Sequence, residues 1–154
     1  MKIINWFYEK ASKRRHKRAL FHMLWIFLIS RIAYFLMGIR FNDNWIREDC
    51  MTLVPYDLLR TDLLSSLWNF HAQPPLFSFF CGIVVKLFGD SHTIAFHAVY
   101  LIAGLAFLYA LYTLMVSLGV PYRFAAGLAL IFSISPDSIL YGNLILYTYP
   151  VAIL

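Results

Sequence analysis

The chain has 154 residues and a net charge of +5; it is 61% hydrophobic and 18% aromatic, with a mean hydropathy of +0.68. Charged residues make up 14%, against roughly 25% in an average soluble domain, so a soluble globule lacks the polar surface to enclose this much apolar mass. Composition therefore predicts an integral membrane protein, and runs this continuously apolar predict an all-α, multi-spanning helical bundle.

Residues 1–18 read as a basic, amphipathic arm. Lys10, Lys13, Arg14, Arg15, Lys17 and Arg18 directly precede the first apolar run, and Trp6, Phe7 and Tyr8 suit the membrane interface. By the positive-inside rule the N-terminus is expected in the cytoplasm, with the same cluster touching anionic lipid headgroups. Nothing basic or aromatic joins it on a soluble face, so no nucleic-acid partner is expected. The first span is predicted over residues 19–38. It reads as a retained anchor, because the apolar segment runs on through Met37 without a small-residue cleavage site.

Residues 39–73 form the long polar loop, expected at the periplasmic or extracellular face. It holds Asp43, Glu48, Asp49, Asp57 and Asp62, five of the chain's eight acids. Behind Pro55, the residues Tyr56, Leu59, Leu63, Leu67 and Phe70 recur at helical spacing. They predict one amphipathic helix lying on the membrane with Asp57 and Asp62 turned to water, although a plain solvated surface helix gives the same pattern. The loop closes on His71-Ala72-Gln73-Pro74-Pro75-Leu76. Two prolines force an extended entry and then permit a helix, holding His71 and Gln73 beside an N-terminus that favours anions.

Residues 74–154 carry the further spans. A span needs about 20 residues, so the run Pro75–Gly89 must draw on Phe70 or its flanks. A turn at Gly89-Asp90-Ser91 leads into a long helix reaching Gly119. Turns follow at Val120-Pro121-Tyr122-Arg123 and Ser135-Pro136-Asp137-Ser138, and Ile139–Leu154 is a last apolar run. That run ends without a polar flank, so the chain reads as the N-terminal part of a longer membrane protein. Cys50 and Cys81 fall in loop and span and should not pair, while His92 and His97 should be interfacial or packed within the bundle.

Three charged residues stand out. Arg31 lies well inside the first span, where an ionisable group is either functional or snorkels toward the headgroups. Arg40 and Asp43 open the loop; Asp43 is either a general base toward an acceptor or an ordinary helix N-cap. No His, Cys, Asp or Glu set has metal-ligand spacing, and no nucleotide-binding glycine pattern occurs, so no cofactor is expected.

Taken in order, Asp43, the His71–Leu76 motif, Leu87-Phe88-Gly89 and the Ser135-Pro136 turn resemble the GT-C membrane glycosyltransferases. The nearest branches are the protein O-mannosyltransferases and the bacterial aminoarabinose and Rgt-type lipopolysaccharide sugar transferases. The resemblance implies transfer of a sugar from a polyprenyl-phosphate donor to a lipid, glycan or protein at the outer face of the cytoplasmic membrane. It implies Asp43 as catalytic base, with Arg40, His71 and Gln73 on the donor phosphate and Arg31 on the lipid phosphate from within the bundle. Asp57 would stand in, with His71, for acids of the family that are absent here. Ala72 and Tyr149 occupy two of those acidic positions, so a divalent-metal site built from them is not expected. A non-enzymatic carrier or flippase for a lipid-linked intermediate would need the same phosphate contacts without a base. An inactive fragment is the third alternative. Sugar, acceptor and oligomeric state are not legible.

Overall fold

The computed structural model describes residues 2–47, 54–69 and 75–146. Among these, 84% are helical and none forms a strand. Helix α1 spans Lys2–Leu36, α2 Asn44–Arg47, α3 Tyr56–Thr61 and α4 Leu63–Asn69. Then come α5 over Pro75–Phe88, a 3-10 turn over Gly89–Ser91, α6 over His92–Ser117, α7 over Tyr122–Ile134 and α8 over Pro136–Gly142. Two helical stretches, Arg14–Leu36 and Pro75–Ser117, are long and apolar enough to cross a membrane; α7 and α8, bent by 59°, would together make a third.

The basic arm and the first span form a single helix rather than two segments. No glycine or proline interrupts the chain from Lys2 to Met37, so nothing breaks the backbone ladder between the charged and apolar parts. The helix stops where Gly38 takes a φ of +94°. There the Gly38 N–H donates to the Phe35 carbonyl and the Ile39 N–H to the Tyr34 carbonyl, each at 3.1 Å, a Schellman closure that suits glycine.

The chain divides into two compact units, Met1–Ile39 with Gly104–Ile139 and Arg40–Ala103 with Leu140–Ala152; α6 contributes to both. In the first unit α1 and α7 run parallel, His16 beside Tyr122 at one end and Arg31 beside Ser133 at the other. Their core is three pairs at one-turn spacing: Met23 and Phe27, Leu108 and Tyr112, Ala125 and Ala129. The two alanines let the α7 backbone approach closely. On its other side α1 exposes Phe21, Trp25, Ile29 and Ile32, large apolar residues where a soluble helix carries polar ones.

Pro136 separates α7 from α8. It has no N–H for the carbonyl four residues back and it forces Ser135 to extended geometry (φ −56°, ψ 147°). The Ser135 hydroxyl then accepts the Ser138 N–H at 3.3 Å, capping α8. The expected turn here is thus a bend between two helices.

The second unit corrects the expectation of one amphipathic helix over residues 56–70. The segment is two helices, broken at Asp62 (φ −133°, ψ 65°). Its stripe does not lie on the membrane: Leu59 and Leu63 are buried, and Tyr56 and Leu67 pack against the same core. The protein offers a better partner, α5, where Gly82 leaves room for the Leu63 side chain. Phe70, the last residue of the stripe, lies outside the described residues. Helix α5 itself has 14 residues, about 21 Å of rise against a hydrocarbon core of about 30 Å.

Candidate functional site

The site begins with a segment pinned along the start of α6. Phe41 stacks on His97, with centroids 5.6 Å apart and planes at 21°, and meets the Tyr100 ring edge-on at 5.4 Å. Asn42 pairs with Leu144 in an isolated parallel bridge, its N–H donating to the Asn143 carbonyl at 2.8 Å. Tyr100 donates to the Leu146 carbonyl at 2.7 Å, holding the other side of that bridge. Chain direction then carries Asp43 toward the first turn of α6.

Asp43 is buried, with 7% of its surface exposed. The Thr93 hydroxyl donates to its Oδ2 at 2.6 Å, and His92 Nε2 stands 3.0 Å from the same oxygen. The histidine contact is at ion-pair distance but off the line of a straight hydrogen bond. His92 is 1% exposed, and its Nδ1 lies 2.7 Å from the Gly89 carbonyl. A carbonyl only accepts, so Nδ1 carries a proton and Nε2 is the nitrogen presented to the carboxylate. The Tyr56 and Phe96 rings, at 5.0 and 6.2 Å, close the imidazole in. A carboxylate inside an apolar core is costly unless paired, and the Thr93 hydroxyl supplies a hydrogen bond to it from the first turn of α6.

Asp43 also occupies the position just before α2. The backbone carbonyl of Asp43 does accept the Ile46 N–H at 3.0 Å to start α2, while its carboxylate turns to α6. Arg40 is exposed in the same unit, as is Asp57 in the first turn of α3, where a carboxylate complements the helix dipole. His71 and Gln73 lie outside the described residues, as do Glu48 and Asp49. Among the described residues no group of three or more His, Cys, Asp or Glu is placed to hold a metal.

Arg31 belongs to the first unit, and its environment explains its presence inside a span. Its guanidinium sits 4.5 Å from the Phe27 ring centroid, and Nη2 donates to the Ser133 carbonyl at 3.2 Å. One turn later on the same face, the Tyr34 hydroxyl donates to the Ile134 carbonyl at 3.2 Å. Those carbonyls end α7, where no intrahelical donor follows and the helix dipole is negative. Arg31 and Tyr34 therefore cap the break that Pro136 creates.

Sequence reasoning placed His92 as interfacial or packed and did not join it to Asp43. A signal existed, since an ionisable group at the head of an apolar run merits the scrutiny given to Arg31. Comparison with protein-family models, characterised proteins and solved structures yields no match to this chain. The likeness to GT-C enzymes accordingly rests on the motifs themselves.

Proposed function

We propose that the chain belongs to a membrane glycosyltransferase that moves a sugar from a polyprenyl-phosphate donor to a lipid, glycan or protein at the outer face of the cytoplasmic membrane. Asp43 is the base in this reading. It takes the proton of the acceptor hydroxyl as the acceptor oxygen bonds to the anomeric carbon, and the bond from that carbon to the phosphate oxygen breaks. Polyprenyl phosphate leaves with the electron pair, and inversion follows from a single displacement. Arg40, His71 and Gln73 are the proposed donor-phosphate ligands, a cation and neutral hydrogen-bonding groups suited to an anion. Arg31, whose Nη2 donates to the Ser133 carbonyl, is the proposed ligand of the lipid phosphate from within the bundle.

The observation that carries the reading is the orientation of Asp43. An acid serving only as a helix cap needs no partners on another element, whereas this one is held on Oδ2 by Thr93 and faced by His92, some fifty residues on. Catalytic geometry requires such a fixed carboxylate.

The test is sugar transfer by the purified full-length protein in vesicles, given a polyprenyl-phosphate sugar and a membrane-lipid acceptor. Glycosylated acceptor together with free polyprenyl phosphate is the expected result. Movement of the intact lipid-linked sugar across the vesicle without either product would instead identify a carrier.

A further inference from the structure

The first unit carries an apolar groove of about 210 Å³ between α1 and α6, lined by Leu20, Met23 and Leu24 on one side and Leu105, Leu108 and Tyr109 on the other. No polar side chain other than the rim tyrosine enters it, so it has nothing to offer a sugar, a nucleotide or an ion. The end of the unit next to it is the opposite in character. Lys17 stands three residues before Leu20 on the same face of α1, Arg14 is one turn further back, and both are exposed. Arg18 and, at the head of α7, Arg123 are exposed as well. His16 ties this end together, its Nδ1 2.6 Å from the Tyr112 hydroxyl and its ring 5.5 Å from that of Tyr122. Among the described side chains of this unit the single carboxylate, Asp137, sits on α8 past the far end of α7.

A hydrocarbon slot with cations one helical turn beyond its mouth matches one kind of molecule, a chain ending in a phosphate. The tyrosines at the junction are the amphipathic residues favoured at headgroup depth. We propose that the groove holds one acyl chain of an anionic phospholipid, with its phosphate on Lys17 and Arg14. This site is distinct from Asp43 and does not depend on the proposed transferase activity. The basic cluster then does more than orient the chain: it selects a resident lipid that fills the seam between α1 and α6.

The experiment uses the purified full-length protein in neutral detergent, titrated with phosphatidylglycerol and with phosphatidylcholine and read by native mass spectrometry. One phosphatidylglycerol should bind per chain, at least about 10-fold tighter than phosphatidylcholine, whose choline neutralises its phosphate, since each cation near a net anionic headgroup is worth about 5-fold. The pair Lys17→Gln and Arg14→Gln should erase the preference, and Leu24→Trp, which fills the slot, should weaken both lipids. A photoreactive phosphatidylglycerol labelled in mid-chain should crosslink the unsubstituted protein at residues 20–24 and 105–109, which keeps the test independent of how the variants fold. Equal binding of the two lipids, binding unaffected by Leu24→Trp, or crosslinks scattered over α1 would each overturn the proposal. So would displacement by polyprenyl phosphate at concentrations where phosphatidylglycerol fails to compete.

Discussion

Thr93 is the side chain whose removal reports most cleanly on the Asp43 cluster. Thr93→Val keeps the volume and deletes the 2.6 Å bond to a buried carboxylate. It should cost about 1.5–3 kcal/mol, the usual worth of a hydrogen bond to a charged group, and Thr93→Ser should restore most of it. Thermal unfolding in detergent measures both, and a Val variant as stable as the parent would mean that Thr93 does not hold Asp43. Arg31→Met makes a parallel case at the α7 break: it keeps the stem against Phe27 but leaves the Ser133 carbonyl without its donor. A loss of about 1.5–3 kcal/mol is expected in the same assay, with no requirement for donor lipid to be present. At this scale the sequence was partly legible. Asp43 and Arg31 stood out because charge is rare here, yet their partners did not, because Thr93 and Ser133 lie 50 and 102 residues away and periodicity records faces rather than pairings.

Elements were read best where backbone chemistry forces the outcome. The Gly89–Ser91 turn, the start of α7 after Pro121 and the break before Pro136 all fall where proline or glycine limits the chain. Residues 56–69 depart from the expected single helix for a different reason. Tyr56, Leu59, Leu63 and Leu67 do share one core, but a stripe does not say whether it meets lipid or protein, and Asp62 divides it. What commits the stripe to α5 is Gly82, against which Leu63 packs so closely that a Cβ would collide with the Leu63 methyl groups. Gly82→Ala should therefore force the end of the Leu63 side chain to move, an overpacking cost of about 1–3 kcal/mol that the better helix propensity of alanine offsets by about 1, for a net loss of up to about 2 kcal/mol. A companion Leu63→Ala in the same chain should relieve part of that loss, which a double-mutant cycle would read as coupling. Additive losses would show that the two do not share the space.

Over the whole molecule, membrane character was evident from composition before any element was placed, because charge this sparse cannot cover a soluble surface. The helices agree: Arg14–Leu36 and Pro75–Ser117 have the length and apolarity to cross, and large apolar side chains face outward from α1. Hydropathy could not show that the chain organises as two units with α6 shared between them, since that division follows from which faces pack. Nor could it show that the basic arm continues the first span as one helix. The functional reading rests on Asp43 as a positioned base in one of those units. Its most direct test is Asp43→Asn, an isosteric change, in the full-length protein reconstituted with a polyprenyl-phosphate sugar and acceptor lipid. The variant should still insert while transfer falls at least about 100-fold, the smallest loss expected when a general base is removed. Transfer within a few-fold of the parent would contradict the assignment.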